Sequence, residues 1–214
     1  MTPAALQAAC EAELARLWQG HADGAHDLGH VRRVLCNARA IAAEEGGADD
    51  AVLVPAAILH DAVNLPKNHP GRRRASTLSA EAAARFLAAL PGYPADKIAA
   101  VAHAIAAHSF SAGIAPETAE ARILQDADRL EALGAIGLAR MFHVAGQMGA
   151  GLFDPDDPLA TARPLDDRRH ALDHLEVKLF PVAAAMQTAA GRRMAAERIE
   201  WMRQFRHRLM TEIG

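Results

Sequence analysis

From Val52 to Val63 the chain is apolar nearly all round, and the run is interrupted by one dipeptide, His60-Asp61. A helix with no polar face belongs in the middle of a bundle, because solvent would meet apolar side chains on every side. Two strongly polar groups at the end of such a helix need partners, since an unsatisfied buried polar group costs about 1–3 kcal/mol. Consecutive helix residues point about 100° apart, yet near a helix end a neighbouring His and Asp can converge on one ion between them. Imidazole with carboxylate suits Mn, Fe, Ni, Zn or Mg rather than a thiolate-seeking metal. On this dipeptide alone, a hydrogen-bonded His–Asp pair without metal is the simpler alternative.

Every other segment also reads as helix. Alternating β-branched or aromatic runs are missing, while Ala, Leu, Arg and Glu recur at helical spacing. Thr2-Pro3 opens a helix to about Gln19. Val31, Val34, Leu35, Ala38 and Ile41 form the stripe of a second, stopped by Gly46-Gly47, and Asp49 or Asp50 caps the apolar third. The polar, basic stretch from Asn64 to Arg74, with Pro66 and Pro70, reads as a loop. Helices are expected over about 79–90, 95–108, 117–132 and 135–147. The Gly, Asp and Pro content of Gly149–Pro164 predicts a long loop or lid near 149–166, and helices over about 167–188 and 190–212 close the chain. The expectation is a single all-α domain over 1–214. Its metal-site core would span about 26–132, with C-terminal helices over about 133–213 completing the pocket.

Composition narrows the function. Hydrophobic residues at 51% and charged residues at 23% exclude disorder and a collagen-like fibre. No apolar run reaches the ~18 residues of a membrane span, so no membrane partner is expected. A formal charge of −3 marks no nucleic-acid partner. Cys10 and Cys36 are the two cysteines, without a Cys-x-x-Cys pair, so neither a disulfide framework nor a thiolate metal site is expected. That usage, and an N-terminus without a basic region followed by an apolar one, points to the cytoplasm. Eleven histidines stand against one Tyr and two Trp, the first compositional hint of chemistry.

Further candidate ligands accompany His60-Asp61. His30 opens the second helix in His-Val-Arg-Arg-Val, and Asp128 lies in Gln-Asp-Ala-Asp-Arg-Leu-Glu. The order His…His-Asp…Asp resembles the HD-domain metal phosphohydrolase superfamily. The blocks Leu-His-Asp-Ala-Val-Asn-Leu-Pro-Lys-Asn-His-Pro, His-Ser-Phe-Ser-Ala-Gly and Gln-Asp-Ala-Asp-Arg-Leu-Glu-Ala-Leu-Gly look like a bacterial branch of small stand-alone members. Some of that branch are nucleoside triphosphate pyrophosphohydrolases. The match covers roughly residues 20–210. It implies an all-α HD bundle and one divalent metal ion held by His30, His60, Asp61 and Asp128. Mn or Mg is favoured for activity, with Ni, Fe or Zn as alternatives. The implied partner is a small phosphorylated substrate, a nucleotide first of all.

Other residues are placed around that set. His26-Asp27 is a second His-Asp pair, and His26 shares a helix face with His30. His30 is preferred as the ligand because it leads the apolar stripe and matches the family position, leaving His26 and Asp27 to cap the helix or line the entrance. Asp126 and Asp128 lie 200° apart around a helix, so only one faces a given metal. The resemblance makes that Asp128, with Asp126 orienting a ligand histidine or, alternatively, lying on the helix surface. His108 begins the His-Ser-Phe-Ser block at a helix end and is assigned as general acid or phosphate donor. His103, 140° away from it, is a group beside the ligands or a satisfied core histidine, and His174 is the late histidine placed near the site. Lys67, Arg74, Arg129 and Lys178 are the candidate phosphate-holding cations. The Arg72-Arg73-Arg74 triplet cannot point all its members at one site.

The chain also departs from the family. Many members carry an acid four residues after the metal histidine, where this chain has Asn64, which cannot take a proton. The Glu-Asp pair of guanosine tetraphosphate hydrolases is therefore missing, and proton removal falls to hydroxide, to Asp128 or to His108. The His-His-Glu and Gly-Tyr-Pro signatures of cyclic-dinucleotide members are absent, and Val177 stands where Glu often precedes the late lysine. The main expectation is hydrolysis of nucleotides to a monophosphate and pyrophosphate. The competing ones are a nucleotidase-like phosphomonoesterase, a di-iron oxygenase drafting His103 and His108, and a non-catalytic nucleotide-binding module. An alanine-rich core of modest side-chain volume leaves room for a homodimer.

Overall fold

The computed structural model describes residues 1–19, 27–65 and 71–214, and every regular element among them is helical. The α-helices are α1 (Pro3–Leu17), α2 (Leu28–Glu45), α3 (Asp50–Leu59), α4 (Ala75–Ala89), α5 (Ile98–His108), α6 (Ala119–Leu130), α7 (Gly134–Gln147), α8 (Phe180–Ala184) and α9 (Ala189–Ile213). Two compact units result, Met1–Asp128 and Arg129–Gly214. No helix among the described residues is long and apolar enough to cross a membrane.

In the first unit α3 packs against α1, α2, α4 and α5. All residues from Val52 to Leu59 are buried, as the pattern required. Burying Val52, Leu53, Val54, Ile58 and Leu59 stabilises the unit by about 1.5–3 kcal/mol each relative to exposure. Side chains close the helix starts. Thr2 accepts from the Ala5 amide, Asp27 from His30 and Asp49 from Ala51, which satisfies amides that no helical carbonyl can reach.

Pro55 sits inside α3 and has no N–H to give the Ala51 carbonyl. The Tyr93 hydroxyl, from the turn before α5, donates to that carbonyl at 2.8 Å and replaces the missing bond.

In the second unit α7 and α8 pack on α9, whose start is capped by Thr188 accepting from Gly191 at 2.9 Å. The turn into α7 needs two glycines for different reasons. Gly134 has φ +71°, in the left-handed region, and a Cβ on Gly137 would lie 2.2 Å from the Ala132 carbonyl oxygen.

The expected helix over 167–188 is corrected. One 3-10 turn (Ala171–Asp173) leads into a π turn (Leu175–Leu179) and the short α8. Pro181 lacks the N–H an α-helix would direct at Val177, and its ring crowds that carbonyl. The wider turn just ahead relieves both problems.

The long loop is present and densely bonded within itself. Asp157 accepts from the amides of Thr161, Ala162 and Arg163, and Asp154 from those of Asp156 and Asp157. Arg163 grips the buried Asp173 carboxylate with two bonds of 2.6 and 2.9 Å.

Candidate metal centre

Three helices of the first unit deliver the central side chains. His30 comes from the first turn of α2, where Asp27 caps the helix by accepting from the His30 amide at 2.7 Å. His60 and Asp61 follow the end of α3, and Asp128 lies in the last turn of α6. Asn37 of α2 ties that turn down by donating to the Ala127 carbonyl at 3.3 Å.

The ligand atoms converge. His30 Nε2 lies 3.3 Å from His60 Nε2, 3.6 Å from Asp128 Oδ1 and 3.9 Å from Asp61 Oδ2. His60 Nε2 lies 3.5 Å from Asp61 Oδ2 and 3.8 Å from Asp128 Oδ1. Nitrogen and oxygen donors about 2.0–2.2 Å from a common divalent ion stand about 3.0–3.5 Å from their neighbours. The observed spacing is a few tenths of an ångström wider, so the set fits an ion with minor closure.

Protonation agrees with that fit. His60 Nδ1 donates to the Ala57 carbonyl at 2.8 Å, so the neutral ring turns its Nε2 lone pair to the cluster. Complete burial pushes the His60 pKa down, against the pull of Asp61 and Asp128, and His108 and His30 lower it further. His30 and His60 are essentially inaccessible, whereas the Asp61 and Asp128 side chains are 23% and 30% exposed. The carboxylates therefore form the mouth of the site.

His108 completes the cluster from the end of α5. Its Nδ1 donates to the Ile105 carbonyl at 2.7 Å, its ring stands edge-on to His60 at 4.9 Å, and its Nε2 lies 3.7 Å from Asp61 Oδ1. Asp61 thus turns one oxygen to His30 and His60 and the other to His108.

The remaining candidates are placed as follows. Asp126 is fully buried, so it is not a solvated surface carboxylate. His103 Nε2 accepts from the Glu117 amide at 3.0 Å and holds the segment ahead of α6, so the structure does not pair it with His108. Asn64 Oδ1 accepts from Arg72 at 2.9 Å, and the same guanidinium also donates to the Leu65 carbonyl. Arg72 is therefore the structural member of its triplet, while Arg74 is exposed at the start of α4. His26 and Lys67 lie outside the described residues. Arg129, His174 and Lys178 belong to the second unit. There Arg129 donates to the Ala185 carbonyl at 2.5 Å, His174 pairs with Asp167 at 2.7 Å, and Lys178 is exposed on the π turn.

Three supporting side chains were not anticipated. Trp18 Nε1 donates to the Asp61 carbonyl at 3.1 Å, Ser79 Oγ accepts from the Val63 amide at 3.0 Å, and Gln125 donates to the Ala107 carbonyl at 2.8 Å. Spacing alone held a signal for Trp18. It continues the four-residue series Leu6, Cys10, Leu14 that α1 buries.

Comparison with known proteins agrees with this geometry. The HD domain family model matches residues 27–133, a span that includes His30, His60, Asp61, His108 and Asp128. The uncharacterized protein YpgQ of Bacillus subtilis is 31% identical over 192 residues, which cover 88% of this chain and 84% of YpgQ. The crystal structure of YpgQ in complex with ADP superposes with a TM-score of 0.72 at 28% identity, covering 99% of this chain and 97% of that one. An HD-superfamily hydrolase from Bacillus thuringiensis superposes with a TM-score of 0.76 at 29% identity, covering 99% and 98%. With these matches, and the overlapping triads His30–His60–Asp128 and His60–Asp61–His108 gathered from separate helices, the chain belongs to the HD domain family.

Proposed function

We propose that this protein is a metal-dependent phosphohydrolase that cleaves nucleoside triphosphates to a monophosphate and pyrophosphate. The observation that carries the reading is the convergence of His30, His60, Asp61 and Asp128 at 3.3–3.9 Å, with His108 turned to the open side of Asp61. The ADP held by the YpgQ crystal structure supports a nucleotide as the substrate class.

A divalent ion bound by these four residues supplies acidity to a water molecule and polarises the phosphoryl oxygen; Mn or Mg is the proposed metal. The side chains supply the rest. Asn64 has no basic atom, and its carbonyl oxygen is engaged by Arg72, so it takes no part in proton removal. Asp128 keeps part of its carboxylate exposed at the mouth and takes the proton of the attacking water. As water adds to the α-phosphorus, the bond to the bridging oxygen breaks, and His108 as imidazolium gives its Nε2 proton to the departing pyrophosphate. Asp126, buried two residues before Asp128, orients a ligand imidazole. Lys67 and Arg74 hold outer phosphate oxygens, whose charge must be balanced in the transition state.

The test is product analysis on metal-stripped protein reloaded with Mn, with nucleoside tri-, di- and monophosphates offered separately. Pyrophosphate with a monophosphate supports the proposal, and inorganic phosphate from monophosphates replaces it with a nucleotidase. A bound metal without turnover across the panel leaves a nucleotide-binding module.

A further inference from the structure

We infer that Trp18 is a positioning residue for Asp61, an inference that rests on the metal reading above. Asp61 has a demanding task, because its two oxygens face different histidines. Oδ2 lies 3.5 Å from His60 Nε2, and Oδ1 lies 3.7 Å from His108 Nε2. A single rotamer serves both, and a rotamer is held only as well as the backbone beneath it.

That backbone lies beyond the regular ladder, since α3 ends at Leu59 and the Ala62 amide returns to the Leu59 carbonyl in a turn. Side chains from other helices take over there. Trp18 closes α1, one helical step beyond the buried series Leu6, Cys10, Leu14, and α1 packs along α3. The packing carries the indole to the end of α3, where Nε1–H meets the Asp61 carbonyl at 3.1 Å. The bond holds ψ of Asp61. Two residues on, the Val63 amide is held by fully buried Ser79 at 3.0 Å. Loss of the indole N–H frees the peptide between these two fastenings and spreads the Asp61 carboxylate over several orientations. Residues that hydrogen-bond a ligating side chain typically change metal affinity about 10–100-fold when removed, and a bond that fixes the ligand's main chain acts on the same orientation.

The same helix supplies a matched control. Tyr93 also donates to a main-chain carbonyl of α3, that of Ala51, but at the opposite end, about 15 Å away along a ten-residue helix. The experiment titrates Mn2+ into the metal-stripped full chain, with free Mn2+ read by electron paramagnetic resonance, for wild type, Trp18→Phe and Tyr93→Phe. Melting of each metal-free protein is followed in parallel. The expected result is a 10–100-fold rise in the Mn2+ Kd for Trp18→Phe, an unchanged Kd for Tyr93→Phe, and similar losses of metal-free Tm in both. A Trp18→Phe protein that binds Mn2+ as tightly as wild type, or no more weakly than Tyr93→Phe, overturns the positioning role. Wild type that binds no Mn2+ overturns the metal reading itself. If Trp18→Phe does not fold, 3-benzothienylalanine at position 18 keeps the ring shape without the N–H and is read in the same way.

Discussion

The Nε2 atoms of His30 and His60 approach within 3.3 Å although thirty residues separate them in the chain. At that distance either a proton or a metal ion lies between the two nitrogens, and the proposed metal would also hold α2 to the end of α3. Chelation should therefore lower the Tm. With free metal at a hundred times Kd, binding adds about 2.7 kcal/mol, and a chain of this size loses about 2–4 °C per kcal/mol. A fall of about 5–10 °C in EDTA, reversed by added Mn, is expected. An EDTA melt that matches the metal-loaded one contradicts a structural metal.

His60→Gln removes the central candidate ligand from a fully buried position. Metal binding and turnover should disappear together, by more than the roughly 10–100-fold of a residue acting behind a ligand. Inductively coupled plasma analysis alongside a product assay checks this, and full turnover without metal would sink the assignment of His60.

Asp126→Asn keeps the shape of a buried side chain and removes its charge. If Asp126 orients a ligand imidazole, metal affinity falls about 10–100-fold while the metal-free Tm changes little. A large drop in metal-free Tm with unchanged metal affinity identifies a purely structural carboxylate.

Tyr93→Phe deletes the donor that stands in for the missing amide of Pro55. The cost should be about 1 kcal/mol, read as a Tm lower by about 2–4 °C. Differential scanning calorimetry checks the loss, and no shift at all shows that water serves the Ala51 carbonyl equally well.

Acid should leave the long loop intact to unusually low pH. The Ala162 and Thr161 amides that donate to Asp157 hold its pKa down at about 2. A carboxylate depressed in the folded state contributes stability above its unfolded pKa, near 3.8, and loses it as pH falls through the folded value. Amide shifts of Thr161 and Ala162 in NMR spectra should titrate near pH 2, and a midpoint near 4 refutes the bonded loop.

Much of the first unit was legible in the residue order. The all-round apolar character of Val52–Leu59 required a central helix, and packing against α1, α2, α4 and α5 is how the chain buries it. Helix-end chemistry at Thr2, Asp27 and Asp49 was readable because a cap acts over two or three residues. The candidate ligands were also visible, through the resemblance of their blocks, in that order, to the HD superfamily. The break at Leu175–Leu179 was missed because the periodic pattern continues through it, while the constraint comes from Pro181 further on.

What tertiary structure alone decided is which polar groups meet. Local sequence favoured His108 for the site but left His103 open between a group beside the ligands and a core histidine; the Glu117 amide claims His103, and His108 stands edge-on to His60. Nor could it show that the Trp18 indole reaches the Asp61 carbonyl or that the Tyr93 hydroxyl reaches Ala51. Periodicity fixes which face of a helix is apolar, because that depends on spacing along one chain segment. A hydrogen bond or a metal site depends on tenths of an ångström between segments forty or ninety residues apart, and only packing sets those distances.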